Sequence, residues 1–203
     1  LKTQVREPLG VCSVEEDTRV LAEVAASLGG RRALDLGTGT GYVAVYLARR
    51  GFEVDAVDVS PRALQAARAN AAAAGVQVNV YRSDLFQAVR GPYDVVAFNP
   101  PMNPSESELT RWVTSTLRRW NRLARLLMRL GERLPLRGRD RFLADVARAA
   151  QAHLARGGRL VVVVSPRELA ALAAAVPEAS VQRTVPVPSL PPLQVAVMGF
   201  EAP

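Results

Sequence analysis

Reactive side chains are scarce in this chain of 203 residues, which holds one cysteine, Cys12, and one histidine, His153. A lone cysteine excludes an internal disulfide and agrees with a reducing compartment. With no histidine beside it, Cys12 does not read as a nucleophile. His153 falls in a helical pattern and reads as a surface or packing residue, and one histidine with one distant cysteine gives no metal constellation. No metal is expected. Apolar runs are short too: none approaches the roughly twenty residues that cross a bilayer, and the first residues are charged rather than a signal sequence. These absences point to the cytoplasm and to no membrane partner. The chain starts at Leu1 without a methionine, which leaves room for preceding residues. Aromatics make up only 5%, and arginine is nearly the only base, so the net charge of +7 is carried by guanidinium groups.

What is present is an apolar fraction of 49%, rich in Ala, Val and Leu, in a length that suits about one domain with a core of its own, residues 1–203. Periodicity predicts helices at Thr18 to Leu28, Tyr42 to Arg50, Arg62 to Ala74, Arg141 to Leu154 and Arg167 to Ala175. Strands are expected at Ala33 to Leu36, Val54 to Asp58, Val78 to Tyr81, Val95 to Phe98 and Leu160 to Val164. Alternation of this kind implies an α/β fold, a parallel sheet covered on both faces with its site at the carboxyl ends of the strands. Two further runs, Ser180 to Val187 and Gln194 to Phe200, flank Pro188-Ser189-Leu190-Pro191-Pro192 and predict a closing antiparallel hairpin.

The sharpest chemical signal is Asn99-Pro100-Pro101-Met102, directly after the apolar run Tyr93 to Phe98. Neither proline has an N–H to give to a ladder, so a strand ending this way presents an amide side chain beside a backbone carbonyl. Two acceptors facing one pocket suit an –NH2 group on a planar amide or heteroaromatic ring: they hold the nitrogen and leave its lone pair aimed at an electrophile. Transfer of a group to nitrogen is the chemistry this implies. The same tripeptide also serves simply to stop a strand.

The electrophile is indicated by Asp35-Leu36-Gly37-Thr38-Gly39-Thr40-Gly41, on a predicted strand-to-helix turn. Glycines let backbone approach a ligand closely. Their spacing differs from the Gly-x-Gly-x-x-Gly of a dinucleotide site, and an acid here repels phosphate but can receive an ammonium group. A second predicted strand ends at Asp58, about twenty residues beyond the glycines, where a carboxylate can accept ribose hydroxyls. Asp58-Val59-Ser60-Pro61 also reads as an ordinary helix start, with Ser60 as cap and Pro61 in the first turn.

In this order of motifs, with Ser83-Asp84-Leu85-Phe86 after the third strand, the chain resembles the class I S-adenosylmethionine (SAM) methyltransferases, from about Val14 to Val164. Within them it resembles the Asn-Pro-Pro branch that methylates amino nitrogens. Glu15-Glu16-Asp17-Thr18 together with Ser83 to Phe86 is most similar to the HemK-type glutamine methyltransferases that modify release factors. The resemblance implies a Rossmann-like, seven-stranded, mostly parallel sheet with a C-terminal antiparallel hairpin, and SAM as cofactor. By position it implies that Asp35, Gly37, Gly39 and Gly41 line the amino-acid end of SAM, Asp58 the ribose and Asp84 the adenine edge. Thr18, Thr38, Val59, Ser83 and Leu85 complete the expected cofactor set, in which Asn99 also takes part. Asn99, Pro100, Pro101 and Met102 would hold the acceptor. Met102 stands where the family has an aromatic residue; a flexible thioether still covers an apolar face, with less stacking selectivity.

Between this motif and the next helix, residues 103–140 form an extra segment, with apolar residues at helical spacing from Leu109 to Leu130 and both tryptophans among them. From Asn103 to Arg141 there are ten arginines against four acids, which accounts for most of the net charge. A basic helical insertion is expected, as a solvated face, a lid over the acceptor or an electrostatic footprint for RNA or DNA. The acceptor is then a protein, translation-associated in the release-factor sense, a nucleic-acid base or a small-molecule amine. Two other classes stand beside this reading: a catalytically silent SAM-fold module that docks on RNA, and a nucleotide-dependent oxidoreductase, which the glycine spacing disfavours.

Overall fold

Runs such as Leu160 to Val164 are apolar at every position because the strand they form is buried on both faces. A computed structural model describes residues 3, 5–8, 11, 13–100 and 137–200. Along the chain these fold as α1 (Glu16–Ser27), β1 (Arg32–Leu36), α2 (Tyr42–Ala48), β2 (Glu53–Asp58), α3 (Pro61–Ala73), β3 (Asn79–Arg82) and β4 (Tyr93–Phe98). Then follow α4 (Arg137–Gln151), β5 (Leu154–Val164), α5 (Pro166–Ala175), β6 (Ala179–Pro186) and β7 (Gln194–Phe200).

The strands form one seven-stranded sheet in the order β3-β2-β1-β4-β5-β7-β6. Five strands run parallel, and β7 pairs antiparallel with both β5 and β6. The expected parallel core and closing hairpin are both present. Side chains alternate across each strand, so Ala33, Ala56, Ala97 and Val161 pack on one face with α1, α2 and α3. Leu34, Leu36, Val57, Phe98 and Val162 pack on the other with Leu143 and Ala147 of α4 and Leu172 of α5. Each fully buried leucine contributes about 1.5–3 kcal/mol of transfer free energy, and this two-sided burial fixes strand register.

The helix starts carry local signals. Ser60 caps α3 by accepting the Ala63 N–H at 3.4 Å, with Pro61 in its first turn. Ser165 and Glu168 form a capping box on α5. Burial pushes the Glu168 carboxyl up, but the Ser165 N–H and the Arg139 guanidinium outweigh it and hold the pKa below its ordinary value.

The largest differences from expectation lie at the two ends of α4. The helix predicted to run from Arg141 to Leu154 begins at Arg137 and ends at Gln151, so residues 137–140 of the expected insertion belong to α4. Arg139, buried, pairs with Glu168 of α5, which anchors that extra turn. At the other end the Tyr93 N–H takes the His153 carbonyl at 2.8 Å and draws the chain out of the helix into a strand that begins at Leu154 rather than Leu160. Pairing is irregular between Tyr93 and Val95, where Gly158 lies against the Tyr93 carbonyl so closely that a Cβ would sit 2.7 Å from it. His153 therefore lies in a turn, its ring stacked on Phe86 at 4.8 Å, as a packing residue. The rest of the insertion, residues 103–136, lies outside the described residues.

Candidate active site

Because β1, β2, β3 and β4 are parallel, their carboxyl ends open on one edge of the sheet. The strand order reverses direction between β1 and β4, and a crevice at such a switch point is where open α/β sheets bind ligands. The turn after β1, the start of α3, the turn after β3 and the end of β4 all meet there.

The turn after β1 is built around Asp35. Its Oδ2 accepts the Thr38 hydroxyl at 2.7 Å and the Ala44 N–H at 3.0 Å, which binds strand end, turn and α2 into one unit. Burial pushes the Asp35 pKa up to about 6, against the pull of those two bonds, with the nearby Asp58 charge adding to the rise. The backbone is left-handed at Gly37, at Gly39 and at Gly41, with φ +69°, +53° and +78°. The first and third of these glycines serve different ends. At Gly41 a Cβ would lie 2.8 Å from the Ala67 Cα, so α3 packs directly on the turn. At Gly37 the nearest atom, in the Phe98 ring, would be 3.7 Å away, and the glycine is exposed. The first glycine therefore leaves room for a ligand and the third leaves none.

Asp58, at the end of β2, uses both oxygens: Oδ2 accepts the Gly39 N–H at 3.0 Å and Oδ1 the Ser60 N–H at 2.9 Å. The helix-start reading and the site position thus coexist in one short segment. Val59, beside it, is 40% exposed, one of two large apolar side chains so exposed among the described residues. After β3 the buried Ser83 donates to the Leu85 carbonyl at 2.7 Å and accepts the Ala88 N–H at 3.0 Å. This pins Leu85 at φ +47°, unusual for a residue with a side chain. Asp84 is exposed at the rim.

Asn99, half-buried at the end of β4, turns its NH2 group away from this cluster: Nδ2 donates to Asp17 Oδ2 at 3.2 Å and to Thr18 Oγ1 at 3.1 Å, both in the first turn of α1. No described residue donates to its Oδ1. Pro100 follows and is buried. Pro101 and Met102 lie outside the described residues.

Two contributors have no role assigned from the sequence. Asp17 enters there only as part of the Glu15 to Thr18 motif, with no partner. Asn70, on the inner face of α3 and 2% exposed, clamps the segment ahead of α1 onto the glycine turn. It accepts the Arg6 N–H at 2.7 Å and donates to the Arg6 and Thr40 carbonyls, each at 2.9 Å. Val11 of that segment is buried and would lie 4.0 Å from a Cβ on Gly39, so it roofs the turn.

An exposed glycine backbone, carboxylates at both ends of the turn, an exposed valine beside Asp58 and a rim acid fit a nucleoside that bears an amino acid. They do not fit a pyrophosphate, which Asp35 and Asp58 would repel. Among the described residues no group of three or more His, Cys, Asp and Glu is set to hold a metal ion, and no helix is long and apolar enough to cross a membrane.

The family model "methyltransferase small domain" matches residues 4–122. The release factor glutamine methyltransferase of Deinococcus radiodurans is 38% identical over 145 residues, 70% of this chain and 49% of that protein. The ribosomal RNA small subunit methyltransferase C of Alcanivorax borkumensis is 37% identical over 79 residues, 39% of this chain and 24% of that protein. The chain thus spans about half the length of the first of these relatives and about a quarter of the second. In fold it matches the ribosomal protein L11 methylase of Lactobacillus delbrueckii subsp. bulgaricus with a TM-score of 0.68 at 17% identity, over 98% of this chain and 86% of that one.

Proposed function

As the chain belongs to the methyltransferase small domain family, we propose that it transfers a methyl group from SAM to a planar amide or exocyclic amino nitrogen, with a protein glutamine as the acceptor. The observation that carries this is the orientation of Asn99. Its NH2 group is occupied by Asp17 and Thr18, which leaves Oδ1 to accept from a ligand.

On this reading the amino-acid end of SAM lies along Gly37 and Gly39 with Asp35 and Thr38 beneath, the ribose on Asp58, and the base between Val59 and the Ser83-Asp84-Leu85 turn. Thr18 borders the methyl end. SAM supplies a strongly electrophilic methyl group. Asn99 Oδ1 and the Pro100 carbonyl each accept one N–H of the acceptor, which holds the nitrogen in line and directs its lone pair along the line of attack. Pro101 and Met102, outside the described residues, complete the acceptor set that the resemblance implies. The proton released from nitrogen passes to solvent, and no side-chain base is needed. The protein's contribution is positioning and electrostatics.

A relative named for release factors, matched over 70% of this chain, supports the protein acceptor. A second reading, an amino group on an RNA base, is supported by the arginines between Arg111 and Arg141 and by similarity to a ribosomal RNA methyltransferase.

The test is transfer of labelled methyl from SAM into a methylation-deficient extract, by the native chain and by Asn99→Ala. Label lost on protease treatment and reduced about 100-fold or more by Asn99→Ala is expected. Label lost on nuclease treatment would replace the protein acceptor with RNA or DNA. SAM binding with no transfer into any fraction would overturn the macromolecular acceptor.

A further inference from the structure

We propose that Asp17 is a positioning residue that dictates which end of the Asn99 amide faces the acceptor nitrogen, an inference that rests on the role given to Asn99 above. An amide side chain has two nearly isosteric ends, one that donates and one that accepts. Only the accepting end holds a substrate NH2 group. Something must break this symmetry.

The contacts at the start of α1 do so. A carboxylate only accepts, so the 3.2 Å contact from Asn99 to Asp17 Oδ2 can be made only by the NH2 group. Thr18 by itself would be neutral, because a hydroxyl can donate or accept. Here its hydroxyl donates to Asp17 Oδ1 at 3.2 Å, and its lone pairs are left for the second N–H of Asn99 at 3.1 Å. The Thr18 N–H also donates to Asp17 Oδ1, at 2.6 Å, which fixes the carboxylate itself. Every donor direction in the set follows from the one group that has no proton to give. Rotating the Asn99 amide by half a turn would set its oxygen against a carboxylate, lose the Asp17 bond and force the Thr18 hydroxyl to leave Asp17 if it is to donate to Asn99.

Asp17 lies in the first turn of α1 and is half-buried. The site's accepting geometry is thus imposed from α1, a helix that none of the sheet-edge motifs belongs to.

A swap of the two residue types tests this. In Asp17→Asn the amide at 17 can present either end, so the bias on Asn99 is lost. Methyl incorporation from labelled SAM should fall about tenfold to 100-fold, with SAM affinity held. In Asn99→Asp two carboxylates face each other, and incorporation should fall further. The double variant Asp17→Asn/Asn99→Asp restores a donor facing an acceptor with an oxygen still turned to the site. It should recover at least tenfold over Asn99→Asp alone. A double variant no better than Asn99→Asp, or an Asp17→Asn variant with native turnover, would overturn the proposal.

A readout independent of turnover is the pair of side-chain NH2 proton signals of Asn99 in the 15N-labelled protein. They should be slow to exchange in the native chain and lose that protection in Asp17→Asn; equal protection in both would overturn the proposal even if the variant is slow. The underlying role of Asn99 fails separately, if Asn99→Ala transfers methyl at the native rate.

Discussion

Asp58 Oδ2 accepts the Gly39 N–H at 3.0 Å, a bond that joins the end of β2 to the middle of the glycine turn. One carboxylate therefore shapes the turn at the position to which the proposed function assigns the ribose of SAM. Asp58→Ala should weaken binding of SAM or S-adenosylhomocysteine by about 10-fold to 100-fold, the loss of one or two charge-assisted hydrogen bonds, while turnover at saturating SAM stays within a few-fold of native. Calorimetric titration reads the first and steady-state kinetics the second. Unchanged affinity would refute the ribose role.

Asp35 gives a pH dependence whose two signs are opposite. Its pKa in the folded chain, pushed up to about 6 by burial, lies above the ordinary value of 3.8. The folded state therefore binds the proton more tightly. The contribution of Asp35 to stability is fullest below about pH 4 and is lost as pH rises towards and through 6. A cationic amino group near this turn prefers the carboxylate, so SAM affinity should rise across the same window. Asp35→Asn keeps an oxygen for Thr38 and Ala44 but cannot ionise. Its SAM affinity should be weaker at pH 7.5 and nearly flat between pH 5 and 7.5, measured against the native chain at matched ionic strength. Parallel pH profiles for the two proteins would remove Asp35 from the cofactor site.

Gly37 and Gly41 should respond differently to the same substitution. Gly41→Ala forces a Cβ to within 2.8 Å of the Ala67 Cα at φ +78°, and a loss of stability on the order of 2–3 kcal/mol is expected. Gly37→Ala would meet only the Phe98 ring, at an ordinary contact distance of 3.7 Å, and should cost about 1 kcal/mol of stability from its backbone conformation. It should nonetheless weaken SAM binding, because its methyl group would fill the approach to the turn. Denaturant unfolding beside SAM titration separates the two; similar stability losses would contradict the packing described.

Asn70→Ala leaves the part-buried Arg6 N–H and carbonyl and the buried Thr40 carbonyl without their partner. A loss of about 2 kcal/mol is expected. The segment ahead of α1 should also become the first site of limited proteolysis. An unchanged melting temperature with an unchanged digestion pattern would show that the clamp holds nothing.

Much of the sheet edge was legible because each of its signals is local. Gly37, Gly39 and Gly41 announce a turn by their spacing, Ser60 and Pro61 announce a helix start within two residues, and the apolar strands are short and bounded. What escaped depends on partners far along the chain. Asn70 bonds Arg6, 64 positions away, and Asp17 bonds Asn99, 82 positions away. Neither contact leaves a trace in periodicity or composition. His153 and the start of β5 were misplaced for a related reason: the helical pattern continues through them, but a hydrogen bond from Tyr93 and close packing at Gly158 outweigh it. The double use of Asp58, as helix-start acceptor and turn acceptor, shows that an ordinary reading of a motif and a functional one need not compete.

The loop between β6 and β7 reaches back to α1: the Ser189 N–H donates to Glu16 Oε2 at 2.7 Å, across 173 positions. The Ser189 hydroxyl and its N–H together hold the Glu16 carboxyl below its ordinary pKa. Glu16 immediately precedes Asp17 and Thr18, so the helix start that holds Asn99 is braced by the loop between β6 and β7. A contact across so many positions costs more loop-closure entropy than a local one. The acceptor edge thus draws part of its support from the antiparallel hairpin on the far side of the sheet, and a change in that loop can reach Asn99 without touching the glycine turn.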